Sequence, residues 1–131
     1  MAKRSRVFLV PARAEDGAAA ISRKAAAVYL KIGLQDRLES EDFLALKIHF
    51  GENHNTGYIK PHWLVDLAYT LRGKTDRIFL TDSNTLYVGR RSNAVDHIRL
   101  AWSHGFRPEV LDVPLLIADG LIGRDKREGK G

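Results

Sequence analysis

Apolar and polar positions follow two rhythms along this chain. Short, nearly continuous apolar runs recur at Arg6-Val-Phe-Leu-Val10, Phe43-Leu-Ala-Leu-Lys-Ile-His-Phe50, Arg77-Ile-Phe-Leu-Thr-Asp82 and Leu115-Leu-Ile-Ala118. Runs of this length, bounded by turn residues, read as buried strands. Between them lie stretches with helical spacing. Ile21, Ala25, Val28 and Ile32 share one face of the alanine-rich segment 18–32. Asp16 stands where it would cap that helix, and Gly33 suits the left-handed residue that ends it. A charged connector, 35–42, leads to the second strand. Pro61 fits a first helical position, and Leu64, Leu67, Ala68 and Leu71 make an apolar stripe down to Gly73. Ala94, Ile98, Ala101 and Trp102 form the third stripe, opened by Asn93 and Asp96 as a variant capping box and ended by Gly105.

The resulting order is β-α-β-α-β-α-β. Strands separated by helices lie parallel through right-handed crossovers. The expected fold is therefore α/β: an open, mainly parallel four-stranded sheet with helices on both faces, Arg6–Val10 being its first strand. Such folds bind ligands beyond the carboxyl ends of their strands. Here those ends carry His49-Phe-Gly51, Thr81-Asp82 and Ala118-Asp119-Gly120. Parallel strands bring all three to one edge, with the loops 51–59 and 83–92.

Composition narrows the class. The 131 residues suit a single α/β domain over 1–131, and 44% hydrophobic with 28% charged residues is the balance of a globular protein. No apolar run approaches the ~20 residues of a membrane helix, and Val7–Val10 is too short for a signal-peptide core. The expected location is the cytoplasm. The chain has no cysteine, so it can hold no disulfide and no thiolate-ligated iron–sulfur cluster. The net charge of +5 raises nucleic-acid binding, but residues 5–122 hold 15 Lys+Arg against 14 Asp+Glu. The excess sits in basic tails, 1–5 and 124–131, rather than on the body where a nucleic-acid module carries its basic stripe.

Candidate chemistry concentrates in Thr81–His97, TDSNTLYVGRRSNAVDH. A connecting loop has no need of two adjacent arginines, several amides and carboxylates, and a glycine. Arg90 and Arg91 precede a helix whose N–H groups favour negative charge, and guanidinium forks match carboxylate or phosphate oxygens. The bland alternative is that both arginines pair with Asp82, Asp96 or surface carboxylates and only order the loop. No Walker-type or GxGxxG spacing is present. Asn55, Thr56 and Tyr58 in the loop GENHNTGYI, with Asn84, Tyr87, His97 and Asp119, complete the expected ligand set; a conformational role for this Gly- and Asn-rich turn is equally open. His49 and Asp82 are the expected proton handlers. His49, Asp82, His97 and Asp119 as a metal set lack any supporting HxxxH or HxH spacing, so no metal is assigned. His62 and His104 read as helix-surface residues.

Taken together, KIHFGENHNTGYIKP, LTDSNTLYVGRRSNAVDH, HGF and IADGLIG resemble domain-of-unknown-function family 362 over roughly residues 5–123. Family members are often joined to a ferredoxin-like iron–sulfur module, whose cysteines follow this region. The resemblance implies that the chain is the N-terminal part of a longer family architecture, with an iron–sulfur domain or subunit as partner. An exposed edge in a shortened parallel sheet would pair with another chain, in a homo-oligomer or otherwise. Three readings emerge. One is a site for a small anionic ligand or cofactor at the carboxyl edge. Another is a non-catalytic docking module for an iron–sulfur electron-transfer domain. The last, nucleic-acid binding, rests on the tails alone.

Overall fold

Residues 5–125 are described by the computed structural model. Helix α1 spans Ala18–Ile32, followed by a 3-10 turn at Leu34–Arg37. Strand β1 is Leu44–Lys47. A 3-10 turn begins at Pro61 and runs into α2, Val65–Arg72. Strand β2 is Ile78–Asp82, α3 is Ala94–Ser103, a short α4 is Pro108–Leu111, and β3 is Leu115–Ile117. The expected parallel α/β sheet is present, in the order β1-β2-β3. Leu46, Leu80 and Leu115 lie side by side in register across it.

Among the described residues the sheet has three strands, not four. Arg6–Val10 joins no strand: Val7 is 90% and Leu9 87% exposed. The apolar run meets the local requirement for a strand but is paired with neither edge of the sheet, and a strand exists only through its ladder partners. Nor do helices cover both faces. The two crossovers step the same way across the sheet, and right-handed connections then place α2 and α3 on one side. Burial agrees. Ile78, Leu80 and Ile117 join a core with Ala68, Leu71, Ala94, Ala101 and Phe106, whereas Ala45, Lys47 and Leu116, on the opposite pleat, are exposed.

Several local devices hold these elements. Gly33 takes φ 78° and ends α1, as its sequence position implies. Asp16 does not cap α1; Gly17 does, and Asp16 instead accepts from Arg13 N–H and Lys24. Buried Ser22 on α1 accepts from Asp66 N–H at 2.8 Å, fastening α1 to α2. The buried face of α1 is centred on Ser22, Ala26 and Tyr29, so Ile21, Ala25 and Val28 are only half-buried and Ile32 is exposed. On α3, Trp102 is 45% exposed and Leu100 takes the interior place expected of it. The basic tails fall largely outside the described residues. No helix among those residues is long and apolar enough to cross a membrane.

Candidate functional site

The carboxyl ends of β1 and β2 deliver Lys47 and Asp82, and the turn after β1 brings in His49 and Glu52. Strand alternation puts Asp82 on the interior pleat, where it is 4% exposed. The loop 83–93 then folds back: Thr85 N–H donates to Arg91 O at 2.8 Å, and Ser92 N–H to Gly89 O at 3.1 Å. This return drives Arg91 inward while Arg90 stays at the surface. Asn93 opens α3, accepting from Asp96 N–H at 3.0 Å and donating its amide to the Asp96 carboxylate at 2.9 Å. The expected capping pair is present, and it occupies the helix N-terminus with groups of the chain itself.

Arg91 is the hub of the edge. Its side chain is 6% exposed, and its Nη2 donates to Asp82 Oδ2 at 2.9 Å. Nη1 donates to Glu52 Oε1 and lies 2.7 Å from His49 Nε2; Nε donates to His97 Nε2 at 3.2 Å. Tyr87 O–H also donates to Glu52. Lys47 Nζ reaches Asp82 Oδ1 at 3.1 Å, with the lysine side chain 70% exposed. His49 receives two donors, Arg91 and Gly51 N–H at 3.0 Å from Nδ1. A neutral imidazole accepts at one nitrogen only, so these contacts are alternatives.

The charges of this cluster are tuned by its packing. Burial raises the Asp82 pKa, but the Ser83 N–H, Lys47 and Arg91 outweigh it, and the carboxyl sits below its ordinary value. The Tyr87 hydroxyl, assisted by Arg91, lowers Glu52 despite a counteracting desolvation. His97 is wholly buried, and that burial with the Arg91 charge lowers its pKa. It is therefore neutral at pH 7 and carries its proton on Nδ1, since Nε2 accepts from Arg91. That Nδ1 has no partner among the described residues.

The remaining expected residues divide between neighbouring subsites. Asn84 donates its backbone N–H to Asp119 at 2.9 Å and its amide to Asp119 and Gly120 O, tying β2 to the turn after β3. Asn55 accepts from Gly57 N–H in a local turn, and Lys60 Nζ sits 3.4 Å above the Tyr58 ring while donating to Thr56 O. His49, Asn55 and Tyr58 border a shallow hollow of about 270 Å³. His104 is not a surface residue of its helix. It stacks on Tyr58 with centroids 4.3 Å apart, and its Nδ1 donates to Phe50 O at 2.8 Å. Beneath this stack Gly51 has φ 94°, and a Cβ there would come within 2.7 Å of Tyr58. The Glu52–Tyr87 contact and the His104 stack escaped the sequence reading, because both join loops separated by dozens of residues. The only advance signal was the shared edge.

The structure thus brings His49, Asp82, Tyr87, Arg91 and His97 into one cluster, with Asn84 and Asp119 as a neighbouring clasp. It leaves Arg90 exposed and outside the hydrogen-bonded network. Among the described residues no three His, Asp or Glu side chains are grouped to hold a metal ion. No curated protein and no solved structure matches the chain. The family described as "Domain of unknown function (DUF362)" matches residues 44–130, the span from the start of β1 past the turn after β3. That span is well over half of the sequence and contains the whole ionic edge, so the chain belongs to the DUF362 family.

Proposed function

We propose that this domain binds a small anionic molecule on the rim of the sheet's carboxyl edge. The observation that supports it best is the buried Arg91 hub. An ion cluster of this kind costs desolvation that a plain apolar contact would not, so it is weak support for stability alone. What it does achieve is to fix the loop 83–93 against β1 and β2, holding Lys47, His49 and Arg90 at the surface. Arg91 and Lys47 are together balanced by Asp82 and Glu52, so the charge offered to a ligand comes mainly from exposed Arg90, with the largely exposed Lys47 side chain beside it. The hollow beside His49 adds Asn55 and Tyr58 as orienting groups, and its modest volume suits a small ligand. Where a bound molecule requires proton transfer, His49 is the better placed group, because Asp82 is buried and held ionised.

A thermal-shift series with inorganic phosphate, pyrophosphate, sulfate and small dicarboxylates tests this reading. A probe at ~100 times its dissociation constant adds about 2.7 kcal/mol to the folded state. Arg90→Ala should diminish that shift while leaving the ligand-free midpoint nearly unchanged, whereas Lys47→Gln should diminish it and also lower the midpoint, because it removes an ion pair from buried Asp82. Silence from every anion, or shifts that neither substitution alters, would overturn it.

A second reading is favoured by one feature of the same rim. Leu86 and Val88, flanking Tyr87 at the loop tip, are fully exposed. Apolar side chains held out from an ordered loop suit a protein partner, and the family resemblance makes an iron–sulfur electron-transfer domain the first to try. Loss of such a complex in a Leu86→Ser/Val88→Ser variant that still responds to anions would support docking at this edge.

A further inference from the structure

The outer edge of the sheet and the N-terminal segment carry two features that lack partners among the described residues and fit each other. One is the outer edge of β1. Leu44 and Ile48 donate their N–H groups to β2, so the alternate residues Ala45 and Lys47 turn their peptide groups towards the free edge. Beside that edge runs an apolar trough of about 450 Å³ between α1 and β1, lined by Ala25, Val28 and Ile32 above and Leu44, Leu46 and Leu71 below. This trough explains why the apolar stripe of α1 is only half covered. The other feature is Arg6–Val10, a mostly apolar segment outside any helix or strand whose Val7 and Leu9 lie almost wholly in solvent.

We infer that Arg6–Val10 adds to the β1 edge of a second copy of this chain, giving a strand-exchanged dimer. Parallel addition with Val7 opposite Leu44 puts Leu9 opposite Leu46, and both side chains then enter the trough beneath α1. Phe8 and Val10 fall on the bare face of the sheet, beside Ala45 and Lys47. The charges select this direction. Lys3, Arg4 and Arg6 precede the apolar run in sequence, and Glu39, Glu41 and Asp42 precede β1. Parallel pairing sets the basic stretch against the acidic one, whereas antiparallel pairing separates them. Each chain offers one segment and one edge, so a reciprocal two-fold exchange satisfies both copies and leaves no segment or edge over. The exchange also covers an edge that would otherwise template aggregation.

The absence of native cysteines makes the test direct. Phe8→Cys and Ala45→Cys would stand side by side across the new ladder, within disulfide reach. Light scattering on the native chain should give twice the chain mass, falling to one chain mass in Leu9→Asp with unchanged far-ultraviolet circular dichroism. Oxidation of the double-cysteine variant should yield a covalent dimer. Equal mixing of the two single-cysteine chains should yield the crossed dimer in excess over either self-linked product. A native chain that stays monomeric at tens of micromolar would overturn the inference. So would an oxidised double variant that migrates at one chain mass, its disulfide closed within the chain.

Discussion

Truncating Arg91 would strand Asp82 and Glu52 on one side and withdraw the proton donor from His97 on the other. Asp82 is nearly inaccessible to water and would retain only Lys47 and the Ser83 N–H as partners. Breaking a buried pair in this way costs about 3–5 kcal/mol, so Arg91→Ala should lower the denaturation midpoint steeply or prevent folding. Arg90→Ala, one residue away at the surface, should change stability by under about 0.5 kcal/mol. Chemical denaturation of the two variants side by side checks the contrast. The sequence displayed both arginines as equals. Which of them turns inward depends on the loop closure from Thr85 to Arg91, a tertiary choice that no local pattern encodes. His97 supplies a pH dependence whose sign is fixed. Its pKa is lowered in the fold, so the unfolded chain binds its proton first. Stability should therefore be full above about pH 6.5 and decline as the pH falls below it. Asp82 and Glu52, also lowered, add a further loss below about pH 4.5, where the unfolded carboxylates take up protons. A His97→Gln variant should flatten the first decline, read as midpoint against pH, and leave the second.

At the scale of elements, the three longer helices and three strands were legible because each carries its own periodicity and punctuation, whereas the short α4 was not anticipated. Asn93 before α3 and Gly33 after α1 act as their positions imply. Asn93→Ala should cost about 1 kcal/mol through the lost cap, measurable by thermal denaturation. Gly51 is a stricter requirement than the sequence alone suggested. Its left-handed φ and the ring of Tyr58 above it leave no place for a side chain, so Gly51→Ala should destabilise by about 1–3 kcal/mol. It should also displace the Tyr58–His104 stack, visible as changed aromatic circular dichroism. The misread element was Arg6–Val10. Its composition is that of a strand, but pairing is a property of two segments, and only one of them can be inspected in a run of five residues. The exposed Trp102 has a related cause: helical spacing finds an apolar stripe but not the side of it that neighbours cover.

For the molecule as a whole, the direction in which the chain crosses its sheet has the widest consequence. Stepping from β1 to β2 to β3 without reversal gathers the helices on one face and leaves the other bare. It also provides no switch point, the crevice where doubly wound sheets seat their cofactors. A ligand site on such a sheet would be built by loops, and the loops 48–60 and 83–93 meet around Arg91. The shared carboxyl edge was legible from the strand order in sequence. The division of labour within it was not, since burial decides which charged groups are spent inside the fold and which face solvent. We propose that the exposed rim, rather than the buried hub, receives an anion. A titration of the isotopically labelled chain with pyrophosphate, followed by amide chemical shifts, tests it most directly. Saturable shifts confined to residues 47–60 and 83–93, lost in Arg90→Ala, are the expected result. Non-saturating shifts scattered over surface lysines and arginines, or none at that edge, would contradict it.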